Sequence, residues 1–365
     1  MPLRLAVITV VVISMFAIPA FAAPFPGASG MAVLDATHFL CVQDVKAEVP
    51  GPRIGVLKVN PDAKSSHGQK LLDYTPLEIG NWHGERASDL ESICPLPGTE
   101  HGYLACESGY WQGRYGRLFE LRAAHGAHGW SVKLVHTLQL PALDDQIEGI
   151  ACDTDAAGRV MLILGERGGA SEGANGQLVW GWLDDLQAAQ HVGRKPENWD
   201  HDSLEIPNPF DSYPQARSIS DLYLDSDGTL WASSAYDPDR DCGPFASCVW
   251  PIATVNPISE TAVNRIGNDD ERRWLMEGLK IEAVCAPCTP GALLSVATDD
   301  EDYGGVWRPL GKPTNIPQDD TDTSTPPAES GDTTAPPAPA EGDGGAPPAP
   351  TDAPTAAPPA PAPAK

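Results

Sequence analysis

One short pattern recurs five times along this chain, and three of the copies carry a glutamate in the same place. The strong copies read Asp89-Leu-Glu-Ser-Ile-Cys94, Gln146-Ile-Glu-Gly-Ile-Ala151 and Lys280-Ile-Glu-Ala-Val-Cys285. Weaker copies stand at Ser29-Gly-Met-Ala-Val33 and Ser218-Ile-Ser-Asp-Leu222. Roughly ten residues after each comes a second apolar run that ends in small or acidic residues. These runs are Phe39–Asp44, Tyr103–Glu107, Val160–Glu166, Leu230–Ser234 and Leu293–Thr298. Paired short strands at a period near sixty residues predict an all-β fold, a β-propeller. In a propeller the equivalent positions of every repeat converge on one axis, so the glutamates become the first place to look for a site.

The linking segments support this reading. Asp153-Thr-Asp-Ala-Ala-Gly158 and Asp225-Ser-Asp-Gly228 are turn signals between the first and second strands of their repeats. Third strands are predicted at Arg53–Val59, Arg117–Leu121, Gln177–Trp182, Val249–Val255 and Gly304–Pro309, and outer strands at Leu72–Leu77 and Lys133–Gln139. The direct count is five four-stranded blades. A sixth would have to lie between Glu166 and Ser218, where strand patterns are weak. Tryptophans fall mostly in third strands, where blade-to-blade packing is expected.

The two ends of the chain read differently. Residues 1–22 have a basic start, an apolar run from Leu5 to Phe21 and an Ala20-Phe-Ala22 cleavage pattern, as in a secretory signal peptide. Residues 313–365 are Pro, Ala, Thr, Asp and Gly, with no Leu, Val or aromatic residue after Ile316. Such a segment cannot bury enough apolar area to offset the entropy of ordering, so a disordered tail is expected. The propeller domain is then 23–312, in an exported protein, periplasmic or secreted, with no membrane span after cleavage.

The formal charge of the whole chain is −26, of which the domain carries about −20. That field repels nucleic acid and anionic surfaces over a Debye length of about 8–10 Å and favours cations. Eight cysteines in an exported chain suggest disulfides. Cys242 with Cys248, and Cys94 with Cys106, are the pairs that loop lengths favour. Cys285-Ala-Pro-Cys288 lacks the βαβ context of a redox pair and reads as a structural bridge or two free thiols. Cys41 and Cys152 have no evident mates.

Aligning the five copies gives a ring position occupied by Ser29, Glu91, Glu148, Ser220 and Glu282, with Asp221 one step off register. Carboxylates crowded into a narrow channel repel one another, so either their pKa values rise or a cation sits between them. Glu91, Glu148, Glu282 and Asp221 are therefore candidate metal ligands. Ca²⁺ suits an oxygen-only set without histidine. The second strands give a parallel set: Gln43, Glu107, Glu166, Ser234 and Thr298, with Asp299, Asp300 and Asp302 just beyond. Glu107 and Glu166 are the candidate bases, and Arg167 can offer an anion two parallel hydrogen bonds. The chain has no Gly-x-Ser-x-Gly elbow, Walker loop or His-Glu-x-x-His motif.

The runs Asp89-Leu-Glu-Ser-Ile93, Leu104-Ala-Cys-Glu-Ser-Gly109, Ile147-Glu-Gly-Ile-Ala151 and Leu162-Ile-Leu-Gly-Glu-Arg-Gly168 resemble the phytase-like propeller domains described as "esterase-like activity of phytase". A more distant likeness is to calcium propellers of the paraoxonase and gluconolactonase type. The tandem-aspartate motif of alkaline phytases is absent. The resemblance implies a metal-dependent hydrolase acting on a small-molecule ester or phosphoester. The alternative is a non-catalytic propeller that binds an envelope protein and keeps a structural ion.

Overall fold

The computed structural model describes residues 25–60, 72–108, 116–141, 143, 145–169, 175–191, 199, 201–240, 242–259, 261–267, 272–299 and 304–312. All belong to the first of two contact units, Met1–Asn315; the second, Ile316–Lys365, lies outside the described residues. The expected leader at 1–22 and tail at 313–365 also fall outside them, as do Asp300 and Asp302.

Each sequence repeat folds into one antiparallel sheet. Blade one holds β1 (Gly30–Val33), β2 (His38–Val42), β3 (Ile54–Val59) and β4 (Leu72–Leu77), in that order. Blade two holds β5 (Leu90–Pro95), β6 (Gly102–Glu107), β7 (Arg117–Gly126) and β8 (Gly129–Gln139). Blade three holds β9 (Ile147–Thr154), β10 (Val160–Glu166), β11 (Gly176–Trp182) and β12 (Asp202–Ile206). The helix α1 (Leu183–His191) links β11 to β12, and Leu183 and Leu186 pack into the core between blades two and three. That helix and β12 complete blade three within the interval where a sixth blade was the alternative. The count is five.

Blade four has β13 (Asp221–Leu224), β14 (Thr229–Tyr236) and the long β15 (Ala246–Val255), whose outer edge is shared by β16 (Val263–Arg265) and β17 (Trp274–Glu277). Blade five has three strands: β18 (Ile281–Cys285), β19 (Leu294–Thr298) and β20 (Trp307–Leu310).

The innermost strands β1, β5, β9, β13 and β18 each touch the next, and β18 touches β1, so the ring closes. Each blade's strands come from one stretch of chain. First and last blades are joined by Ala28 N–H donating to Thr298 O (3.1 Å) and Gly305 N–H to Phe25 O (2.9 Å). A buried cluster covers this seam, with Trp307 tilted against Phe39 at 6.2 Å between ring centroids. The third-strand Trp180, Trp250 and Trp307 are buried among apolar neighbours, the packing role expected of them, and Trp231 of the second strand β14 is buried likewise.

Two glycines let the inner strands approach closely. A Cβ on Gly30 would lie 2.6 Å from Ser92 Cα, and one on Gly149 would lie 2.6 Å from Leu222 Cγ and 2.9 Å from its backbone N. Only glycine fits such close approaches. Among the described residues no helix is long and apolar enough to cross a membrane.

Candidate functional site

The three ring glutamates share a backbone feature that their sequence hides. In blade two, Leu90 pairs with Glu107 and Ser92 with Cys106, so Glu91 is left over. In blade three, Ile147 pairs with Glu166 and Gly149 with Gly165, leaving Glu148. In blade five, Ile281 pairs with Thr298 and Ala283 with Ala297, leaving Glu282. Each glutamate is thus the extra residue of a β-bulge near the start of an innermost strand. A bulge bends the strand and re-aims one side chain. Here it turns all three glutamates into one cavity of about 240 Å³ at one end of the axis.

The second-strand residues have a different, repeated task. Glu107 Oε1 accepts the backbone N–H of Ser88 (2.9 Å), and Glu166 Oε1 accepts that of Asp145 (2.8 Å). Ser88 and Asp145 each stand three residues before a ring glutamate. Gln43 Nε2 donates to Gly27 O (3.5 Å) and Ser234 Oγ to Ser218 O at the corresponding places in blades one and four. This position clasps the loop that leads into the inner strand. Glu107 also takes Arg117 through its backbone N–H and Nε, both at 3.0 Å, and through Nη2. Neither Glu107 nor Glu166 lines the cavity; Arg167 does.

The cavity is lined by six carboxylates (Asp44, Asp89, Glu91, Glu148, Asp237 and Glu282) and four cations (Lys46, Arg167, Arg217 and Lys280), with Gln146 between them. Arg217 is the organiser. Its Nη1 lies 2.8 Å from Glu282 and 3.5 Å from Glu148, and its Nη2 is 3.6 Å from Asp237. Lys280 Nζ is 3.3 Å from Glu282 and 3.2 Å from Asp237. Lys46 pairs with Asp89, which also accepts from Ser108 Oγ (2.7 Å). Asp89 holds a left-handed backbone, φ 60°, directly before the bulged strand. Arg167 donates to Gln146 Oε1 (3.0 Å) and lies 3.8 Å from Glu148.

Burial and crowding set the protonation of the cavity. Burial pushes the Glu148 carboxyl up, Arg217 and Arg167 pull it back, and Glu282 and Asp89 add to the rise, for a pKa of about 7. Glu91 is pushed well above the usual carboxylate range by burial, then by Glu148, Asp89, Asp44 and Glu282. Asp44 is raised by burial and by Glu282 and Asp89. Arg217 is held charged by its surrounding carboxylates, which outweigh its own burial.

Asp221 belongs to a deeper layer. It is fully buried and does not line the cavity. Its Oδ1 accepts from Ser92 Oγ and its Oδ2 from Val284 N–H (2.8 Å), while Ser92 Oγ also accepts from Ile150 N–H (3.0 Å). This one carboxyl ties blades two, four and five, and through Ser92 blade three. Burial raises it well above its ordinary value, against the pull of its hydrogen bonds.

The sequence pattern thus brings Glu91, Glu148, Glu282 and Arg167 together and leaves Asp221, Glu107 and Glu166 in bracing positions. It did not single out Asp44, Lys46, Asp89, Gln146, Arg217, Asp237 or Lys280. A signal existed for part of that set. Asp89, Gln146 and Lys280 each precede a ring glutamate by two, the spacing that returns a strand residue to the same face. Among the described residues no group of three or more His, Cys, Asp or Glu side chains is arranged to hold a metal ion. Glu148 and Glu282 instead share a guanidinium.

The fold and the site define a five-bladed β-propeller with a charged cavity at one end of its axis. Compared with known proteins, the chain matches no family model and no curated protein.

Proposed function

We propose that this propeller is a hydrolase that cleaves a small ester or phosphoester in the axial cavity. The observation that carries the reading is Glu148, a carboxyl with a pKa of about 7 set beside two arginines. A group poised near neutrality exchanges protons in either direction at working pH. In its ionised form Glu148 takes a proton from water as the water attacks the ester. Glu91, also raised by burial, supplies a proton to the leaving oxygen. Arg167, braced by Gln146 yet partly exposed, holds the anionic group. Arg217 is engaged with Glu282 and fixes the wall. Placing the base at Glu148 suits Glu107 and Glu166, whose carboxylates clasp backbone.

The likeness to phytase-type propellers adds a divalent cation, taken as Ca²⁺, to this proposal. Because Glu148 and Glu282 face Arg217 and Lys280, and Asp89 faces Lys46, the residues that would hold it are Asp44 and Glu91, and the cation would then take the place of the Glu91 proton. When bound it would polarise the ester oxygen as a Lewis acid.

A second reading, a binding propeller without chemistry, is favoured by one observation: the described lining contains no serine, threonine or cysteine to act as nucleophile. The two separate in an assay of the full chain against aryl phosphates, phosphodiesters, carboxylic esters and lactones, with calcium and with chelator. Hydrolysis is expected with at least one class, falling about 10²-fold or more in Glu148→Gln. Inactivity across the panel leaves the binding reading. Activity unchanged in Glu148→Gln removes Glu148 from the chemistry, and activity unchanged by chelator removes the metal.

A further inference from the structure

At the other end of the axis the propeller closes over an apolar cavity of about 150 Å³, lined by inner-strand residues of every blade, among them Met31, Ile93, Leu222 and Val284. Cys94 of β5 and Cys152 of β9 also line it, and their Sγ atoms are 3.5 Å apart. All eight cysteines are free thiols. The pair expected from loop length, Cys94 with Cys106, is not set opposite: Cys94 pairs across the strands with Leu104, and Cys106 with Ser92. Cys248 is buried within β15 whereas Cys242 is exposed in the preceding loop.

We propose that Cys94 and Cys152 form a disulfide that staples the innermost strands of blades two and three. The two strands are neighbours in the ring and are already locked by the Ile150 N–H bond to Ser92 Oγ, two residues before each cysteine. A disulfide needs an S–S distance of about 2.05 Å, which thiols already in contact reach by side-chain rotation. Cys152 is half-buried and Cys94 fully buried, so the order of events follows from access. The Cys152 sulfur attacks a disulfide of the oxidant, forming a mixed disulfide and releasing one oxidant thiol. The Cys94 sulfur then attacks the Cys152 sulfur and displaces the second thiol. The protein loses two protons and two electrons, and one oxidant disulfide becomes two thiols. Glu91 stands three residues before Cys94, and Glu148 four before Cys152, so the staple stiffens the strands that carry the carboxyl pair.

The full chain, treated with oxidised glutathione or with a phosphine reductant, is denatured, alkylated and digested without reduction. After oxidation a linked peptide pair containing Cys94 and Cys152 is expected, together with a melting temperature roughly 5–10 °C above the reduced protein. Cys94→Ser and Cys152→Ser should each abolish both signals, and Cys106→Ser should leave both. Peptide mapping of the unmodified chain needs no variant to fold. Full alkylation of Cys94 and Cys152 after oxidation, or linkage of Cys94 to Cys106 or Cys285, overturns the proposal.

Discussion

Replacing Glu148 by glutamine should stabilise the fold at pH 8 and leave it unchanged near pH 4. The reasoning rests on one displaced equilibrium. Glu148 titrates near 4.3 in an unfolded chain and at about 7 in the folded one. The folded protein therefore holds this proton more tightly. Its contribution to stability is fully present below pH 4 and is lost as the pH rises through 7. A displacement of roughly 2.5, at about 1.4 kcal/mol per pH unit, gives a loss of about 3.5 kcal/mol between pH 4 and pH 8. Glutamine resembles the protonated acid, does not titrate, and escapes that loss. Arg217 keeps Glu282 at 2.8 Å and Asp237 at 3.6 Å in the variant, so its charge is not stranded. Urea unfolding followed by tryptophan fluorescence at pH 4, 6, 7 and 8 measures the difference between the two proteins. Taking that difference cancels the titration of Asp44 and Asp221, while Glu91, which Glu148 helps to push up, is relieved in the variant and adds to the gain at high pH. The expected curve is near zero at pH 4 and rises to about 3.5 kcal/mol in favour of the variant by pH 8. A variant less stable than the parent by about 1 kcal/mol or more at pH 8 would refute the argument, because pairing with Arg167 and Arg217 would then outweigh burial.

Two further substitutions test the scaffold beneath the cavity. Asp221→Ala leaves the Ser92 hydroxyl and the Val284 N–H without their acceptor in a dry layer, and should cost about 2–4 kcal/mol after the relief of removing a buried carboxyl, read as a lower urea midpoint with unchanged slope. Gly30→Ala puts a methyl 2.6 Å from the backbone of Ser92 and should destabilise by about 1–3 kcal/mol, whereas alanine at Gly126, where a Cβ meets nothing within 4 Å, should stay within about 0.5 kcal/mol; equal losses at the two positions would count against close approach as the cause.

The inner strands were legible because each repeats in register with its neighbours and ends in a turn signal. β1, β5, β9 and β18 begin one residue after the start of the pattern that announced them, and β13 three residues after. The outer strands were not all legible. β12 (Asp202–Ile206) is mostly exposed and polar, and β17 (Trp274–Glu277) alternates between exposed and half-buried, so neither carries much apolar signal. The bulges were hidden for another reason: an inserted residue changes pairing, not composition. Glu91, Glu148 and Glu282 converge because all three bulges fall at the same place in the repeat. Arg217 escaped notice because it lies outside the apolar pattern, one residue before it begins. Crowded carboxylates need a counter-charge, and for Glu148 and Glu282 the chain supplies a guanidinium.

Asp221 explains why the cavity and the apolar pocket are separate places. At the level just beyond the ring, the equivalent residues are Gly30, Ser92, Gly149, Asp221 and Ala283. Four are small, so one larger side chain can reach across the axis. Asp221 does so, meeting Ser92 of a blade that is not its neighbour. On one side of this layer lie Glu91, Glu148 and Glu282; on the other lie Ile93, Leu222 and Val284. A hydrogen-bonded carboxyl at the waist keeps the charged end from draining into the apolar one. Arg167, a partly exposed cation, stands beside Glu148 in the charged cavity. The residue that stands off register in the sequence is the one that lies between the two cavities.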